Sequence, residues 1–246
     1  MLLRRFSLPV IAFAALSVAA CGDDERPGIE GQLGTLRFEY ATADACSGCS
    51  LDREVLAGSL LDIDVHGVHP RVAFQVRSTA PNVADFQVST RCRFIGHKGC
   101  RDGIAVITKA AGDADLEVFD DWTGTVFDRI TVKVRDAASL ETVVMATSSR
   151  DGSPAAIAPT ASGVFELAVD SDVEIRATPR SASGETLIAT SAAIQGAYED
   201  EQVVGPRVRL AGSAPAEYAR ANRPGTTTVS VLGGGVRHDL VFHVVE

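Results

Sequence analysis

The sequence predicts an all-β chain of two tandem antiparallel β-sandwiches behind a short cleavable leader. Three observations predict it. Apolar and polar residues alternate at period two through the body of the chain, turn residues recur about every eight to twelve positions, and the pattern restarts after a break near Asp136. No convincing long helical periodicity interrupts it.

The first twenty residues stand apart. Arg4 and Arg5 form a positive n-region, Pro9 to Val18 a short apolar stretch, and Val18-Ala19-Ala20 the small residues that a signal peptidase requires before Cys21. The apolar run has about half the length needed to span a bilayer. With the cysteine at the cut site, residues 18–21 resemble the lipobox of bacterial lipoproteins. That resemblance implies removal of residues 1–20 and lipidation of Cys21. Removing them takes away Arg4 and Arg5 and no acid, which leaves a charge of −11. An acidic chain does not offer nucleic acid the basic face its phosphates need, nor does it adsorb to anionic headgroups. Membrane attachment is expected instead through several acyl chains on Cys21, since one alone holds only marginally. The protein is expected to be exported and fixed to a bacterial membrane, the outer one by expectation, on its periplasmic or its surface face.

Residues 21–34, rich in Gly and charge and without periodicity, read as a flexible tether. From Thr35 the alternation starts. Leu61-Asp62-Ile63-Asp64-Val65, Val72-Ala73-Phe74-Gln75-Val76 and Ile130-Thr131-Val132-Lys133-Val134 each put the bulkier apolar residues on one face. Strands are expected near 35–40, 60–65, 72–78, 84–89, 103–109, 114–119 and 127–134, with turns at His69-Pro70, Ala80-Pro81-Asn82, Gly112-Asp113 and Asp121 to Gly124. This many short strands in about a hundred residues predicts an immunoglobulin-like sandwich over 35–135. Residues 136–141 read as a linker, and 142–246 as a second immunoglobulin-like sandwich. Gly58 to Ile63 has a counterpart in Asp170 to Ile175, and Gly112 to Val118 has one in Gly225 to Val231. Both halves close on a hairpin, the second turning through Gly233-Gly234-Gly235.

The segments LAGSLLDIDVHG, STAPNVADFQVS and GIAVITKAAGDADLEVFD are similar to the group 2 bacterial immunoglobulin-like domain, whose Ser-x-x-Pro-x-Val-Ala segment is matched by Ser78 to Ala84. The resemblance covers about 36–135 and is poorer over 141–246, where that segment is absent. It implies an architecture shared by surface adhesins, cell-wall proteins and extracellular spacers, and no particular activity.

Few residues point to chemistry. Cys46, Cys49, Cys92 and Cys100 are an even number in an exported chain, so two disulfides are expected ahead of a zinc site that would use these cysteines with His97. Three pairings are open. Loops at opposite ends of a sandwich favour the local bridges Cys46–Cys49 and Cys92–Cys100. His66, His69, His238 and His243 form no HExxH pattern, and there is no G-x-S-x-G, GxxxxGK or GxGxxG. Asp113, Asp115, Asp120, Asp121 and the run Glu199-Asp200-Glu201 are calcium-type ligands but also ordinary turn residues. Trp122, the sole tryptophan, falls in a turn, where it is either a contact anchor or a plug over the end of the core.

The expectation is therefore a lipid-anchored, non-enzymatic cell-envelope protein without a cofactor, acting as a binding or adhesion module for a protein or glycan, with Trp122 as candidate contact. The alternatives are a structural spacer or envelope-assembly component, and a metal-binding or enzymatic site on loops of the first domain.

Overall fold

The period-two stretches become strands in a computed structural model that describes residues 28–40, 51–68, 73–92, 100–147, 154–207 and 216–246. The first half supplies β1 (Ile29–Glu30), β2 (Arg37–Tyr40), β3 (Val55–Leu56), β4 (Leu60–His66), β5 (Phe74–Ser78), β6 (Ala84–Cys92), β7 (Cys100–Thr108), β8 (Gly112–Asp120) and β9 (Val126–Arg135). They form two sheets, ordered β1-β2-β4-β7-β6 and β3-β9-β8-β5. The core between the sheets is built by the in-phase residues, such as Phe38, Ile63, Val106, Leu116 and Val132. The second half supplies β10 (Ser139–Thr147), β11 (Pro154–Ile157), β12 (Val164–Ala168), β13 (Asp172–Arg180), β14 (Ile194–Tyr198), β15 (Val204–Pro206), β16 (Ala216–Ala221), β17 (Gly225–Gly233) and β18 (Val236–Val245). Its sheets run β11-β10-β13-β16-β15 and β12-β18-β17-β14, around Phe242, Ile175, Val229 and Val231.

The two halves have the same wiring. The first and second long strands of each half pair with the fifth and fourth on one sheet, and the third, sixth and seventh make the other, which is the immunoglobulin arrangement. In both, a short piece of the first strand crosses over and pairs in parallel with the last, β3 with β9 and β12 with β18. These two parallel pairings depart from the purely antiparallel expectation; β3 has only two residues, too few for alternation to register.

The repeat extends to single hydrogen bonds. Gly58 (φ 87°) and Asp170 (φ 67°) occupy the same left-handed position. Gly58 N donates to Thr108 O as Asp170 N does to Ala221 O, and Thr108 N donates to Ser59 O as Ala221 N does to Ser171 O. Gly112 faces Val134 as Gly225 faces Val244, each glycine lying where an added Cβ would strike a valine, Val83 or Val203.

Two expectations are corrected. Residues 28–34 do not belong to a loose tether. Ile29–Glu30 pairs with Phe38 and Arg37, and residues 31–36 lie across the end of the first sandwich. Asp128 causes this. Its side chain is fully buried, at the end of β9 in phase with Ile130 and Val132, and its carboxylate accepts hydrogen bonds from Leu33 N, Thr35 N and Leu36 N, each at 2.8 Å, and from Arg129 N. Thr35 Oγ1 also donates to it. The interval between halves is also shorter than 136–141: β10 starts at Ser139, because Leu140 is buried and pairs with Pro179.

The halves interlock through β3. Leu56 N donates to Ile188 O (2.8 Å) and Ile188 N to Glu54 O (2.9 Å), so a segment of the second half adds itself to the first half's sheet in parallel. Leu60 N and Arg53 Nη2 add bonds to Thr190 Oγ1 and Thr186 O. The side chains cross the boundary in opposite directions: Leu56 packs in the second core and Ile188 in the first, both out of solvent. Gly234 serves this contact beyond making a turn, since a Cβ there would lie 2.3 Å from Leu56 Cδ1 and 3.0 Å from Ala137 N.

Candidate contact site at the β8–β9 turn

The first sandwich's hairpin β8–β9 turns through residues 120–125 at the pole away from the interlock. Its order comes from one carboxylate. Asp120 Oδ1 accepts from Trp122 N (2.9 Å) and Thr123 N (2.7 Å), while Gly124 N donates to Asp120 O (2.9 Å) and Asp120 N to Thr125 O (2.9 Å). The Asp120 side chain thus takes the place of a backbone acceptor, the usual reason for an Asp in a turn. Gly124, at φ 71°, closes the turn in a region that side chains resist. The Thr123 N–H is the main reason that the Asp120 carboxyl is held below the usual carboxylate range, with the Thr123 hydroxyl and the Trp122 N–H adding to it. Asp120 is therefore ionised, and the turn formed, across the neutral and mildly acidic range.

Two further features aim the turn. A register shift between Val118 and Phe119 inserts an extra residue into β9, which locally raises the twist and redirects the hairpin tip. Asp121 N reaches Ala73 O ahead of β5. On the flank Arg77 lies 5.1 Å from the Phe119 ring centroid and pairs with Glu117 at 2.6 Å. On this frame Trp122 is 96% exposed. Of the two sequence readings, a plug over the core is thus excluded. The backbone under this large apolar ring is already ordered by Asp120, so the turn itself has little freedom left to lose on engaging a partner.

The other sequence-predicted residues do not gather here into a site. Cys21, Cys46, Cys49, His69 and His97 lie outside the described residues. Cys92 and Cys100 are register partners, directly opposite each other across β6 and β7. His66 Nε2 lies 3.3 Å from Glu39, His238 pairs with Thr142, and His243 with Thr226. Asp113 pairs with Arg135 (2.7 Å), Asp115 with Thr131 (2.7 Å), and Asp200 with Arg223 (3.0 Å) and Gln202 N. Among the described residues no three His, Cys, Asp or Glu side chains converge as a metal site, and no helix is long and apolar enough to cross a membrane. A cleft of about 800 Å³ opens beside the interlock, between Gly58, Lys109 and the Gly233–Gly235 turn. Its cations are engaged elsewhere, Lys109 with Pro81 O and Asp85, and Arg237 with Asp239.

Sequence reasoning missed Leu33, which is 53% exposed on the segment that Asp128 holds. A signal for that segment existed: Asp128 is a charge in phase with the core residues of β9.

No protein-family profile and no curated protein sequence matches the chain. Solved structures similar to it include domains 1–6 of the surface layer protein SbsC, 16% identical over 89% of this chain and 28% of that one, with a TM-score of 0.32. The Escherichia coli adhesin FdeC is 12% identical over 90% of this chain and 66% of its own, with a TM-score of 0.29. The I9–I11 tandem of titin is 8% identical over 78% and 62%, with a TM-score of 0.34. The chain spans less than two thirds of each of these three.

Proposed function

We propose that this chain is a non-enzymatic contact module of a bacterial cell envelope, exported, lipid-anchored through Cys21, and making its contact through the β8–β9 turn. The observation that carries the contact is Trp122, 96% exposed on a turn that Asp120 holds in order. Tryptophan is enriched among the residues that carry binding energy where proteins meet partners, and this one tips a hairpin at the end of a four-stranded sheet. The leader and Cys21 support the envelope location. A second reading, a spacer that holds a partner away from the membrane, is favoured by the exchange of Leu56 and Ile188, which fixes the second sandwich on the first.

We also propose a disulfide between Cys92 and Cys100, whose opposed register brings their Cα atoms to the spacing that a cross-strand bridge uses. Cys46 and Cys49 would make the other bridge.

Cell fractionation tests the anchor. Cys21→Ser is expected to move the protein from the membrane fraction to the soluble one with its fold unchanged, because the anchor alone is removed. A variant that stayed membrane-bound would defeat the lipoprotein reading. The soluble material, alkylated and digested without reduction, should yield the peptides of Cys92 and Cys100 joined; both found alkylated would rule that bridge out.

A further inference from the structure

We infer that the surface Trp122 meets is the interface of the protein's own membrane, with Leu33 as its companion. The inference rests on the anchor proposed for Cys21. It begins with where the apolar residues lie. Leu33 and Trp122 are the two most exposed large apolar side chains among the described residues, at 53% and 96%. Both lie at one pole of the first sandwich. Leu33 N is bonded to Asp128, Gln32 N to Arg129 O, and the hairpin tip lies only a few residues beyond Asp128 along β9. The second sandwich occupies the opposite pole, where Glu54, Leu56 and Leu60 bond Ile188 and Thr190.

Reach then narrows the geometry. Cys21 stands seven residues before Gly28, which leads into β1, and seven extended residues span at most about 25 Å. At about 3.3 Å per residue along β2 and β9, the level of Gly28 lies on the order of 20–25 Å below the tip of the turn. Acyl chains on Cys21 can thus reach the level of Trp122 and little beyond it. They cannot reach past the second sandwich. With the anchor short, the pole that carries Trp122 and Leu33 is the end of the protein that the bilayer can approach.

The chemistry fits a neutral lipid surface. Tryptophan settles at headgroup level, its ring partly apolar and its N–H hydrated, and Leu33 supplies a second apolar contact. Asp120 and Asp121 beside the ring disfavour anionic headgroups. Two side chains bind weakly alone, but an anchor within about 25 Å presents the membrane to them at high effective concentration. The outcome is orientation: the first sandwich stands on the membrane and the second points away.

The sole tryptophan is its own probe. The lipidated protein is reconstituted into phosphatidylcholine vesicles with and without brominated acyl chains, floated on a density gradient, and its emission measured. Co-flotation with a clear partial loss of emission in vesicles brominated near the carbonyl end of the chains is expected, and Leu33→Ser, a change outside the core, should reduce that loss. Co-flotation with unaltered emission would overturn the inference and leave the anchor standing. Failure to co-float would overturn the anchor itself, and this inference with it.

Discussion

Replacing Asp128 with Asn is expected to lower stability by about 2–4 kcal/mol, among the largest single-residue effects in the first sandwich. The carboxylate is acceptor on both oxygens: Oδ1 serves Leu33 N and Arg129 N, and Oδ2 serves Thr35 N and Leu36 N. Asn keeps the shape but must put an NH₂ group against one of these pairs of N–H donors. Two backbone donors, partly or fully buried, then lose their acceptor whichever way the amide is turned. The pH dependence has its origin in the same bonds. Burial pushes the Asp128 carboxyl up, but the N–H groups of Leu33, Leu36, Arg129 and Thr35 outweigh it, and the net displacement is downward. A depressed folded value means that the folded chain favours the carboxylate. This contribution is complete above the unfolded value near about pH 3.9 and is lost as pH falls through the folded value, so about pH 4 and below. Urea melts across that range should show a steep acid limb in the wild type and a shallower one in Asp128→Asn. Equal limbs and equal midpoints would show that the carboxylate does not hold residues 31–36.

Leu56→Ala should destabilise the whole molecule, although Leu56 belongs by sequence to the first sandwich. Its side chain is fully buried in the core of the second. Truncation of a buried leucine costs about 2–5 kcal/mol, which for a chain of this length lowers Tm by roughly 5–15 °C. Ile188→Ala is the mirror experiment, removing a residue of the second half from the first core. Because the Val55–Ile188 bridge joins the two, the double variant should cost less than the sum of the singles. Scanning calorimetry reads this as one transition that moves as a unit. Two separate transitions in the wild type, with each variant moving only one, would mean that the sandwiches are merely adjacent.

Much of this fold was legible because period two carries it. The strands from Leu60, Phe74, Ala84 and Gly112 start within a few residues of where alternation places them, and the repeat noticed through Gly58 and Asp170 corresponds to shared backbone bonds. The elements that escaped have a common physical character: they are short and stabilised by distant partners. β1 and β3 have two residues each, and nothing local distinguishes them from loop. The polar stretch 28–34 reads as tether because its acceptor, Asp128, is about a hundred residues away. Leu56 and Ile188 look like ordinary apolar residues, and no periodicity tells that they change places. For the site, the sequence singled out Trp122 but left its direction open. The deciding residue is Asp120, whose carboxylate fixes the turn and so denies the ring a place in the core. Leu33 was hidden for the same reason as the segment that carries it.

The most direct test of the contact role is hydroxyl-radical footprinting of Trp122, in cells carrying the native protein and in the purified Cys21→Ser chain. Peptide mass spectrometry isolates the signal of the single tryptophan, and the peptide containing Val143, half exposed on the second sandwich, calibrates the dose. Strong oxidation of Trp122 in the soluble chain and marked protection in the envelope, with Val143 modified equally in both, is the predicted result. Equal oxidation of Trp122 in both would show that the turn faces water in place, and the contact role would be contradicted.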